Sequence, residues 1–169
     1  MKNGRYKELD MIAYYLDDKF HREDGPAIEL ASGTKKWCMN GDFHREDGPA
    51  IEWSNGSKNW YINGQLHRED GPAIEWHDGS KEWYLNGKTH REDGPAVELA
   101  SGTKEWWLNG DRHREDGPAI EYANGSKDWG IYGIQLTEEE FNQWRAKKEL
   151  NEKLHVTLQP KPAQKRLKI

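Results

Sequence analysis

The stretch HREDGPA, first met at His21, places an imidazole, a guanidinium and two carboxylates in consecutive positions. Groups of these types serve as general acids and bases, as anion partners and as metal ligands. The same stretch begins again at His44, His67, His90 and His113, always after 23 residues. Catalysis needs one well-placed set of groups. Identical sets at a fixed period are instead the mark of a repeat architecture. The motif is therefore read as structural: its histidines, with Gly25, Gly48, Gly71, Gly94 and Gly117, hold the repeat together. No residue is assigned to catalysis. A metal site is not expected, because two strands per unit would set successive histidines ~9.6 Å apart, too far to share an ion. Cys38 is the only cysteine, and neither a nucleophile set nor a phosphate-cradling glycine loop stands out, so no cofactor is implied.

The elements that must position these residues are short hairpins. In the unit AIEWSNGSKNWYINGQLHREDGP, residues 50–72, Asn55-Gly56 and Asn63-Gly64 are two turn signals flanked by alternating residues. Two-residue turns at both places would pair Ile51 with Trp60, Glu52 with Asn59, and Trp60 with His67. One face would then carry the isoleucines with Trp37, Trp60, Trp83, Trp106 and Trp129, and would match each motif glutamate to a lysine, as in Lys58 with Glu69. The other face would carry Cys38, Tyr61, Tyr84 and Trp107 beside Glu82, Glu105 and Asp128. Between Glu69 and Ile74 the alternation is out of phase by one residue. A β-bulge at Asp-Gly-Pro, with Gly71 left-handed, would restore it.

The expected fold is mainly β: a single-layer, twisted antiparallel meander of 23-residue hairpin repeats with ten to twelve strands, capped by a C-terminal helix. Residues 1–20 read as a worn half-repeat, with Tyr14 in the slot of Trp37 and Asp17-Asp18 in that of Asn40-Gly41. Residues 21–136 hold the five repeats. Residues 137–154 read as a capping helix that opens with a Thr137/Glu140 capping box, and residues 155–169 as a basic, flexible tail. The net charge of −5 is uneven: acids exceed bases between 21 and 136, and bases exceed acids from 137 onward. No apolar run suits a signal peptide or a membrane span, which implies a cytoplasmic protein with no membrane partner.

The unit HREDGPAIEWSNGSKNWYINGQL resembles the MORN repeat in length, in its Asn-Gly turn and in its aromatic strand. It is similar to Trp-rich variants found in phage and bacterial genomes. The apolar and aromatic faces imply a non-enzymatic protein-interaction module, and the phage-type resemblance implies an inhibitor that occludes or sequesters a host (defence) protein. Read from the residues, the binding strip is Tyr61, Tyr84, Trp107, Glu82, Glu105 and Asp128, suited to a protein with a basic or partly apolar surface. Self-association through the Trp/Ile face is a second expectation. The alternative from another class is a nucleic-acid-related protein, which either binds a strand through the basic tail and aromatics or mimics one with its acidic body.

Overall fold

The computed structural model describes residues 1–158. It contains 22 short strands and one helix, Glu138–Leu158, with strand neighbours antiparallel throughout. Fourteen strands form one long meander sheet, and four further two-stranded sheets lie beside it. The first four repeats each supply four short strands rather than two, and the fifth supplies three. In the second unit Ile51–Glu52 and Lys58–Asn59 belong to the long sheet, and Tyr61–Ile62 with Gln65–Leu66 form a side hairpin. The chain leaves the long sheet at Trp60, whose N–H donates to the Ala73 carbonyl and whose carbonyl accepts from the His67 N–H.

The two turns of a unit differ. At Asn63-Gly64 both residues have positive φ, 50° and 74°, which is the type I′ geometry expected. Asp17-Asp18 adopts it too, so the first residues do continue the turn pattern. At Asn55-Gly56 only the glycine is left-handed. Gly56 N–H donates to the Trp53 carbonyl, Trp53 N–H to the Ser57 carbonyl, and the Asn55 side chain accepts from the Ser57 N–H. This is a type I turn with a glycine bulge, one residue longer than expected. The register therefore shifts. Ile51 pairs with Asn59, and Glu52 with Lys58.

That shift reassigns the faces, because directly paired residues point to the same side. Ile28, Lys36, Ile51, Asn59, Ile74, Glu82, Val97, Glu105, Ile120 and Asp128 share one face. The opposite face is an alternating ladder of Glu29, Lys35, Glu52, Lys58, Glu75, Lys81, Glu98, Lys104, Glu121 and Lys127. Every Glu on this face meets Lys, so no two carboxylates are paired across it. The recurring tryptophans lie on this charged side, not with the isoleucines. The side hairpins help to cover the isoleucine face: Phe43 and Phe20 pack against Ile28 and Cys38. Ile28, Ile51, Ile74 and Ile120 are buried within the one chain. Trp37, Trp60, Trp83, Trp106 and Trp129 therefore do not share with the isoleucines the surface expected from the two-residue register; Trp53 and Trp76, two residues beyond Ile51 and Ile74, do.

The motif forms a connecting loop rather than a bulged strand. Arg68 carries it. Its guanidinium lies 4.1 Å from the Trp60 ring centre, its Nε donates to Asp70 at 2.8 Å, and an Nη donates to the Pro72 carbonyl and to Glu75 at 3.2 and 3.1 Å. Arg22, Arg45, Arg91 and Arg114 repeat this set, Arg22 with Tyr14 in place of the tryptophan. The motif glycines do not take the left-handed conformation. Their need is space, because a Cβ on Gly71 would sit 3.0 Å from the Arg68 guanidinium carbon. The motif glutamates do not reach the lysines assigned to them. Glu69 stands 84% exposed, 3.8 Å from the Nε2 of its own His67.

Units are stitched at both turns. The Nδ1 of His67 accepts from the Asn86 N–H of the next unit at 3.2 Å, and His21, His44, His90 and His113 do the same for Asn40, Asn63, Asn109 and Tyr132. The hydroxyls of Thr34, Ser57, Ser80 and Thr103 accept from backbone N–H groups twenty residues on. The helix seats Phe141 in the interior, and Thr137 and Glu140 form the reciprocal capping box. It continues to Leu158, past the expected boundary at 154. The rest of the expected tail lies outside the described residues.

Gly71→Ala should push Arg68 off Trp60 and cost about 1–3 kcal/mol of stability, whereas Glu69→Ala should stay within about 0.5 kcal/mol. Thermal or denaturant melts of the two variants against the parent check this. Equal effects would mean that the motif glycine is not there for the guanidinium.

Candidate functional site

The face that bears the isoleucines also bears a row of rings, and the carboxylates of that row are spent on holding them. Glu82 accepts from Trp76 Nε1 at 2.8 Å and from the Tyr84 hydroxyl at 3.0 Å. Glu105 accepts from Trp107 Nε1 at 3.0 Å, and Arg112 lies over the Trp107 ring at 5.1 Å. Asp128 accepts from the Tyr122 hydroxyl at 2.8 Å, which also raises that phenol's pKa. In the second unit Asn59 stands where the last three units have acids and the first has Lys36, and takes Trp53 Nε1 at 2.5 Å. Each ring thus has its polar edge fixed inside the chain and a flank left open. Trp53 and Trp76 are 40% and 41% exposed, and Leu99 occupies the same rim.

Of the residues expected to form the strip, the structure brings Glu82 to Tyr84 and Glu105 to Trp107. Asp128 serves Tyr122 instead. Tyr61 meets no carboxylate; its ring lies 5.4 Å from Phe43, and burial raises its pKa, as it does for Tyr84. Cys38, in the same repeat position, is buried. That burial pushes its thiol up to about 11, so it is a packing residue and not a nucleophile. Trp53, Trp76 and Tyr122 follow Ile51, Ile74 and Ile120 by two residues and share their face, and the extra turn residue is what brings Asn59, Glu82 and Asp128 to that face. A three-residue reading of Ser54-Asn55-Gly56 and its equivalents puts Glu82, Glu105 and Asp128 on the isoleucine face, beside these rings.

The motif histidines are occupied by the stitching described above. Acceptance of the backbone N–H by Nδ1 puts the proton on Nε2, turned toward the ring's own motif glutamate at 3.7 to 3.8 Å; at His21, His44 and His67 the same Nδ1 also lies 3.0 to 3.1 Å from the side-chain amide oxygen of Asn40, Asn63 and Asn86. His113 is the most enclosed. Tyr132 stacks on it at 4.1 Å, and burial lowers its pKa, with Lys148 adding to the effect and Glu115 opposing it. Among the described residues no three His, Cys, Asp or Glu side chains are grouped to hold a metal ion, and no helix is long and apolar enough to cross a membrane.

Compared with models of known protein families the chain matches none, and no curated protein matches it either.

A lowered His113 pKa has a signed consequence. The unfolded chain takes up the proton first, so this group's contribution to stability is whole above the ordinary histidine value near ~6.5 and is lost as pH falls below it. Melting temperatures from pH 7.5 to 5.5 should fall for the parent and fall less steeply for His113→Asn. Parallel curves would show that His113 is not titrating against folding.

Proposed function

We propose that this chain is a non-enzymatic protein-interaction module of MORN-like repeats, and that its aromatic face is the contact surface. The observation that carries the reading is the tethered row of rings. Trp76, Tyr84 and Trp107 are held by hydrogen bonds to Glu82 and Glu105, so their rotamers are fixed before any partner arrives. Pre-fixed aromatic side chains lose little entropy on binding and supply the buried anchors that dominate interface energies. Acidic side chains grip the polar edges of the rings. The surface therefore suits a partner that offers cations around an apolar patch, with charge steering the encounter. If the chain acts in a phage setting, binding of this kind would occlude or sequester a host protein.

Affinity capture with the folded chain as bait, repeated with variants, tests the reading. Trp107→Ala should weaken the captured partner's binding by at least ~1.5 kcal/mol, a hot-spot effect. Trp76→Ala should weaken it too, whereas Lys35→Ala on the opposite ladder should not. Unchanged binding in both tryptophan variants, with folding confirmed, would move the contact off this face.

A further inference from the structure

Away from the aromatic face, the chain repeats a second surface. Four open clefts lie between successive HREDGP loops. The one over Trp83 and Leu85 encloses about 780 Å³, with Arg68, Glu69 and Asp70 on one wall and His90, Arg91, Glu92 and Asp93 on the other; the two guanidiniums are turned to Asp70 and Asp93. Equivalent clefts lie over Trp37, Trp60 and Trp106. The wall aspartates are already bound by their own arginines at 2.7 to 2.8 Å. The wall glutamates are in a different state. Glu23, Glu46, Glu69 and Glu92 are each over four-fifths exposed and reach only their own histidine, with no Lys or Arg paired to them among the described residues.

The fifth copy of the motif already holds a cation. Glu115 takes the ammonium of Lys148 from the packed helix, and that ammonium also lies 5.5 Å from the Trp144 ring. Glu115 is correspondingly only 40% exposed. Where a segment of this chain covers the motif, a lysine sits on the motif glutamate.

We propose that the four clefts bind a basic segment of a partner protein, one Lys or Arg side chain to each. The aliphatic stem lies on the Trp floor and its apolar neighbour (Met39, Ile62, Leu85 or Leu108), and the charged head meets the wall glutamates, as Lys148 meets Glu115. The spacing selects the segment. The long sheet advances two strands per unit, about 9.6 Å. An extended polyproline-II chain returns a side chain to one side every third residue, about 9.3 Å. The occupant is therefore an extended chain with Lys or Arg at every third position. Each contact alone is a weak, exposed ion pair; four in register on one chain make binding selective.

The probe is a fluorescein-labelled (Lys-Pro-Pro)4 peptide, compared with an isomer whose lysines are contiguous, measured by anisotropy on the intact protein at ~50 mM salt, where exposed charges are least screened. The spaced peptide should bind at least ~5-fold tighter than its isomer. Glu46→Gln, Glu69→Gln and Glu92→Gln should each weaken it ~2–5-fold, as exposed ion pairs do. Glu138→Gln with Glu139→Gln, a loss of charge elsewhere, should leave it unchanged. Trp76→Ala should also leave it unchanged, so the result is independent of the aromatic face. Equal binding of the two isomers, equal losses in the Glu138/Glu139 control, or no binding of the spaced peptide would overturn the proposal.

Discussion

The guanidinium of Arg68 touches the Trp60 ring, the Asp70 carboxylate, the Pro72 carbonyl and the Glu75 carboxylate. These groups belong to the strand that leaves the long sheet, the loop that turns back and the strand that re-enters. One planar, always-charged donor fork thereby fixes where the loop lies and where the next strand begins, which a lysine ammonium could not do with one point charge. Glycine follows from it, because the fork lies where a Cβ would stand. The remaining stitches join unit to unit, through His67 to Asn86 and Ser57 to His77. Contacts pass mainly between neighbours, so the array behaves as a one-dimensional stack that needs closed ends. Phe141 closes the C-terminal end, buried beneath the first turn of its helix.

The glycine bulge at Gly56 decides what each surface offers. By adding one residue to the turn it puts Asn59, Glu82, Glu105 and Asp128 on the isoleucine side and leaves a Glu/Lys ladder on the other. The ladder is internally balanced. The isoleucine side acquires acids that grip aromatic edges. Both proposed binding surfaces follow from this division. The aromatic face rests on rings locked by those acids, and the clefts on motif glutamates that the architecture leaves out of every arginine network.

Much of this was legible in the residues. The period, the antiparallel meander, the type I′ turns at Asn40, Asn63, Asn86 and Asn109 and the Thr137 capping box all follow from local chemistry that the sequence displays. Other features depend on choices a sequence does not make explicit. Asn55-Gly56 suits either a type I′ turn or a type I turn with a bulge, and only the hydrogen bond from Ser57 to Asn55 selects the second. Gly71 suggested a left-handed residue because glycine most often marks one. Its use as empty space for a guanidinium is a tertiary fact. The turn at Tyr132-Gly133 escaped notice because tyrosine rarely accepts positive φ; His113 accepts its N–H and stacks on its ring. The hydroxyl stitches at Thr34, Ser57, Ser80 and Thr103 had only their small size and recurrence to announce them.

The central claim is that the five motif histidines do one structural job, as acceptors for the next unit's turn. Long-range 1H–15N correlation spectra of the imidazoles at neutral pH test it most directly, since they report which ring nitrogen carries the proton. The account predicts five Nε2–H tautomers, each with Nδ1 unprotonated and shifted by an accepted hydrogen bond. An Nδ1–H tautomer at these positions, or one histidine whose protonation stands apart in kind from the other four, would contradict it and return the motif to chemistry.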